Sequence, residues 1–268
     1  MPFARNTALV TAATLLISAA LVAQVAAAAP AGPPQPIDAV LVKDPSTLTP
    51  TEIAGIQKKL ADYANLARYA AANAALPPAT KDRVVFFGDS ITDAWGNAAA
   101  FKPAFFPGKP YLDRGIGGQT TPQMLIRFQQ DVVALKPAAV LILAGTNDIA
   151  GNTGIESLEH VEDNFRSMAA IADANHIKLI LASVLPVDDY PWRRGLAPAE
   201  KIRTINAWLQ QFCKERGYTY LDYYTALTSP TGGMKEGTAK DGVHPTVAGY
   251  AIMAPLAQAA IDRTLTGK

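Results

Sequence analysis

The chain has 268 residues, and 24 lysine and arginine residues against 23 aspartate and glutamate residues leave a formal net charge of +1. That balance gives no electrostatic case for a nucleic acid or an anionic membrane surface as partner, so a small molecule or a neutral polymer fits better. The single cysteine, Cys213, excludes an intramolecular disulfide, and roughly 240 folded residues are enough for one α/β domain held by its core alone.

Arg5 is the sole charge in the first 29 residues, ahead of an apolar, alanine-rich run from Ala8 to Ala29 that ends in small residues. A charged start, an apolar middle and a small-residue exit describe a secretory signal peptide over residues 1–29; a retained membrane anchor is the alternative. Export to a periplasm or to the medium is the expectation. Residues 30–43, with Ala31-Gly32-Pro33-Pro34-Gln35-Pro36, read as a proline-rich linker, and residues 44–268 as the folded domain.

Thr49-Pro50-Thr51-Glu52 has capping-box spacing with proline at the first helical position. Ile53, Ile56, Leu60, Tyr63, Leu66 and Ala70 follow at three- and four-residue steps, which predicts one helix to about Leu76. Continuous apolar runs then recur at Val84–Phe87, Val140–Leu143 and Leu179–Leu181, with weaker ones at Tyr111-Leu112 and Tyr218–Leu221. Such runs suit strands buried on both faces. Helical stretches lie between and after them, near Thr121 to Leu135, Ser157 to Asn175, Pro198 to Arg216 and Thr246 to Leu265. The alternation predicts a single three-layer α/β/α domain around a mostly parallel, flavodoxin-like five-stranded sheet. Ligands of such sheets bind beyond the carboxyl ends of the strands.

Four segments fall where that rule wants a site. Gly88-Asp89-Ser90-Ile91-Thr92 follows the first strand; Ser90 is either a nucleophile or a helix N-cap. The segment is not the G-x-S-x-G elbow of α/β-hydrolases, since Thr92 stands where glycine is required. Gly115-Ile116-Gly117-Gly118-Gln119-Thr120 offers backbone N–H groups without side-chain interference, or a plain turn, and misses the dinucleotide fingerprint at Thr120. In Gly145-Thr146-Asn147-Asp148 an amide can donate to an oxyanion or close an Asx turn. Asp241-Gly242-Val243-His244-Pro245 pairs an acid with a histidine whose ring it can orient. His160, among polar helix residues, and His176, at a helix end, read as structural, as does Cys213. No cysteine cluster or H-E-x-x-H motif argues for a metal.

In this order the four segments resemble the blocks of the SGNH/GDSL hydrolases, from about Val84 to the C-terminus. The resemblance implies a serine esterase with Ser90 as nucleophile, His244 as base and Asp241 as its orienting acid. It places the oxyanion donors at the Ser90 and Gly118 N–H groups and the Asn147 side chain, and it implies no metal or organic cofactor. Ile91 replaces the leucine of the family name, Asp113 stands where asparagine is common, and Gln119 where aspartate is common. Asp89, Tyr190 and Trp192 are candidate substrate contacts, the last two from the mixed aromatic and charged stretch Asp188–Arg194. The expected substrates are short-chain or O-acetyl esters, with carbohydrate as a candidate alcohol. A lysophospholipase or thioesterase is the nearest rival, and a non-catalytic carbohydrate-binding protein a more distant one.

Overall fold

The computed structural model describes residues 43–154 and 157–267; the expected signal segment and all of the linker except Lys43 lie outside them. Five parallel strands form one sheet: β1 (Val84–Gly88), β2 (Tyr111–Gly115), β3 (Ala139–Leu143), β4 (Lys178–Ala182) and β5 (Thr219–Leu221). Their order is β2-β1-β3-β4-β5, the flavodoxin-like order in which the chain reverses direction between β1 and β3. The expected fold class is therefore the observed one.

Successive side chains of a strand point to opposite faces, so each apolar run feeds two cores. Val85, Phe87, Val140, Ile142, Leu179 and Leu181 pack against α4 (Thr121–Asp131), α6 (Leu158–Ala174) and α7 (Ala199–Arg216). Val84, Phe86, Leu141, Leu143, Ile180 and Leu221 pack against α3 (Ser90–Asn97) and α9 (Val247–Thr266). Two short helices, α5 (Thr146–Ile149) and α8 (Tyr224–Leu227), follow β3 and β5. No helix among the described residues is long and apolar enough to cross a membrane.

The long helix expected from Thr49 to Leu76 is instead two helices, α1 (Pro50–Ala61) and α2 (Ala67–Ala74). The capping box forms as its spacing predicts, with Glu52 accepting from the Thr49 N–H at 2.8 Å. The break lies at Asp62, whose carboxylate accepts from the N–H groups of Leu66 and Ala67 at 2.7 and 2.9 Å. It thereby caps the second helix, and Asn65 between them takes a left-handed φ of 54°. The apolar stripe on α1 is not core, since Leu60 is 79% exposed. The stretch to Leu135 likewise leaves the α-helix at Asp131 and closes as a 3₁₀ turn before Pro137, which cannot continue a helix.

Candidate active site

Three of the four candidate segments follow the carboxyl ends of β1, β2 and β3, and the fourth leads into α9. After β1, Asp89 takes the N-cap position of α3, and its Oδ1 accepts from the Ile91 N–H at 2.9 Å. The capping role that Ser90 might have filled belongs to Asp89. Ser90 becomes the first helical residue, whose N–H has no partner inside the helix. Gly88 serves closeness rather than a turn: a Cβ there would collide with Thr92 Oγ1 and meet the Leu143 carbonyl oxygen at 2.7 Å.

His244 approaches from the far end of the chain. His244 Nε2 lies 2.9 Å from Ser90 Oγ, and His244 Nδ1 lies 2.8 Å from Asp241 Oδ2. A carboxylate only accepts, so Nδ1 carries the proton and Nε2 is left to accept from the serine hydroxyl. Asp241 Oδ1 accepts from the N–H groups of Val243 and His244 at 3.1 and 2.8 Å. Burial alone would raise the pKa of Asp241, but these N–H groups and the imidazole hold it below the usual carboxylate range. Tyr250 fixes the two helices together: its hydroxyl donates to the Ile91 carbonyl at 2.7 Å, and its ring stacks on Trp95 at 5.0 Å.

The second segment lies against the serine, and the third against the second. A Cβ on Gly117 would lie 3.7 Å from the Ser90 Cβ, and the Gly117 N–H donates to Asp93 Oδ2 at 3.2 Å. Gly118 follows with a φ of 78°, where a side chain would be strained although space is open. Asn147, 2% exposed on α5, donates from Nδ2 to the Gln119 carbonyl at 3.0 Å. Its neighbour Asp148 accepts from the Thr121 N–H at 2.9 Å, tying the β3 loop to the start of α4.

Of the three candidate substrate contacts, Trp192 alone is exposed beside the histidine. Its ring is 43% exposed and lies 6.1 Å from the His244 ring. Asp89 is 1% exposed and is occupied in capping, so it cannot reach a substrate. Burial, with a smaller push from Asp148, raises its pKa to about 7, and Oδ2 has no hydrogen-bond partner. Tyr190 is fully buried, and its hydroxyl donates to the Thr146 carbonyl at 2.9 Å, which makes it a prop beneath α5. Cys213 is buried as expected, its thiol pushed by burial up to about 12.

Two further residues that no sequence motif marks hold these loops. Arg127, fully buried, donates to the Gly88 and Arg114 carbonyls at 2.9 and 2.8 Å and to the Gln119 side chain. It joins the serine turn to the glycine loop, and no spacing rule marks it within a helix. Asn152 donates to Asn147 Oδ1 at 2.8 Å and accepts from the Trp192 indole at 3.2 Å.

Residues 86–252 match the sequence profile of the GDSL-like lipase/acylhydrolase family. The chain belongs to that family. It is 43% identical to a GDSL-like lipase from Bacteroides thetaiotaomicron of known structure, over 75% of this chain and 98% of that one, with a TM-score of 0.71. An acetylxylan esterase from Geobacillus stearothermophilus is 24% identical over 65% of this chain and 90% of that enzyme. A Bacillus subtilis lipoprotein is 33% identical over 121 residues, 39% of this chain, and the match spans only 49% of that lipoprotein. As a GDSL-like acylhydrolase, the chain is a serine hydrolase acting on ester bonds.

Proposed function

We propose that this GDSL-like acylhydrolase removes short acyl groups, acetyl above all, from the hydroxyls of a carbohydrate. The observation that carries this reading is Trp192, an exposed aromatic face 6.1 Å from the His244 ring. His244 is the group that must protonate the departing alcohol, so the aromatic stands on the alcohol side of the scissile bond. A flat ring there suits the C–H face of a sugar. The relative that acts on acetylated xylan is consistent with that choice.

In the proposed reaction His244 Nε2 takes the Ser90 proton as Oγ attacks the ester carbonyl. The tetrahedral oxyanion is bound by the Ser90 and Gly118 N–H groups and the Asn147 amide. His244 then protonates the leaving alcohol, and water, deprotonated by the same imidazole, releases the acid from the acyl-enzyme. Asp241 holds the imidazole in the required tautomer and offsets its transient positive charge. Residues 1–29 are proposed to direct export and residues 30–43 to link that segment to the catalytic domain.

The test is hydrolysis of nitrophenyl acetate, butyrate and palmitate and of an acetylated xylooligosaccharide, with S90A alongside. The reading expects acetate and the oligosaccharide to be preferred and S90A to fall by about 10⁴-fold or more while melting with the native transition. Preference for palmitate would favour the lysophospholipase or thioesterase alternative, and full activity in S90A would remove the mechanism.

A further inference from the structure

An asparagine side chain is useful to an oxyanion only if its nitrogen, not its oxygen, faces the developing charge. The amide of Asn147 is held in that sense from two directions. Its Nδ2 gives one hydrogen to the Gln119 carbonyl at 3.0 Å, and its Oδ1 accepts from Asn152 Nδ2 at 2.8 Å. The second Nδ2 hydrogen is then left for a ligand. Asn152 is itself held in one orientation, because its Oδ1 accepts from Trp192 Nε1 at 3.2 Å while its Nδ2 also reaches the Gly118 carbonyl at 3.3 Å. An indole nitrogen can only donate and a carbonyl can only accept, so each link forces the next.

From this chain of bonds we infer that Asn152 is a positioning residue, which sets the polarity of the Asn147 amide and couples it to Trp192. The inference rests on the reading of Asn147 as an oxyanion donor. It assigns to Trp192 a second task, since the indole that faces the alcohol also sends its N–H toward the oxyanion hole. An alcohol that displaces the ring would disturb the amide, and one that stacks on it would hold the amide in place.

The test uses the full chain and nitrophenyl acetate, a substrate with no sugar to stack, with a fluorophosphonate titration to count competent serines. N152A removes the donor and lowers kcat about 10-fold, with KM within about twofold. N152D is nearly isosteric, yet it presents an acceptor to Asn147 Oδ1. Turning the amide over would only set that oxygen against the Gln119 carbonyl, so kcat falls further than in N152A. In an N147A background, N152A costs nothing more, because its effect runs through Asn147. An unchanged kcat in N152A, a milder loss in N152D than in N152A, or an additional 10-fold loss in the N147A background would each overturn the assignment. N147A at the native rate would overturn the reading of the oxyanion hole and this inference with it; a loss in N147A alone would overturn only the inference.

Discussion

Two regions border the Ser90–His244 pair and are built in opposite ways. The side formed by β1, β2 and β3 is overdetermined: Arg127, Asn147 and Asp148 are almost fully buried, and each ties one loop to the backbone or carboxylate of another. The side formed by residues 188–195 is a surface loop held mainly from within. The Tyr190 and Gly195 N–H groups both end on Asp189 Oδ1, and the Arg194 side chain is 73% exposed in a 3.4 Å ion pair with Asp189. Such an exposed pair contributes little. On the proposed mechanism the difference separates chemistry from choice: the oxyanion donors sit in the core, while the surface loop that would meet the alcohol is linked to them through Trp192 and Asn152.

The sharpest way to break that contrast is on the chemical side. D241N keeps the shape of the acid but lets the imidazole adopt the wrong tautomer, so kcat/KM should fall by about 10²–10⁴-fold, read with nitrophenyl acetate. A loss below about threefold would mean that the carboxylate only shapes the loop. On the recognition side the effect should be smaller and should depend on substrate. W192A should raise KM for an acetylated xylooligosaccharide about 10-fold, with a smaller loss on nitrophenyl acetate. Equal losses on the two substrates would deny the ring a role in binding the alcohol.

The smallest effect concerns stability. The folded pKa of Asp89 is raised to about 7 from an unfolded value near 3.8, so the native state holds a proton that the unfolded chain gives up. Wild type should therefore be most stable below about pH 4 with respect to this group and lose that contribution as pH rises to about 7. D89N has no such proton. Its stability relative to wild type should improve as pH rises from 4 to 8, measured by urea unfolding. A constant difference across that range would mean that Asp89 does not titrate there.

The sheet was legible because fully buried parallel strands leave continuous apolar runs such as Val84–Phe87, and those runs mark where loops must emerge. The pairing of His244 with Asp241 was legible because three residues of spacing bring the acid to the ring. Tyr190 and Trp192 were not separable, since two aromatics two positions apart in an irregular loop carry no periodicity that says which one is buried. The helix break at Asp62 was hidden because its carboxylate competes for backbone N–H groups without interrupting the apolar spacing. Arg127 and Asn152 act through carbonyls and amides brought near by the fold, and no local pattern announces such partners.

The bond between Ser90 and His244 spans 154 positions of the chain. On the proposed mechanism a nascent polypeptide carries its nucleophile long before its base has been synthesised, and it would hydrolyse nothing until the segment before α9 had packed against the serine turn. On that mechanism turnover is a readout of completed folding, and a chain cut anywhere before position 244 would be silent however well its first strands had assembled.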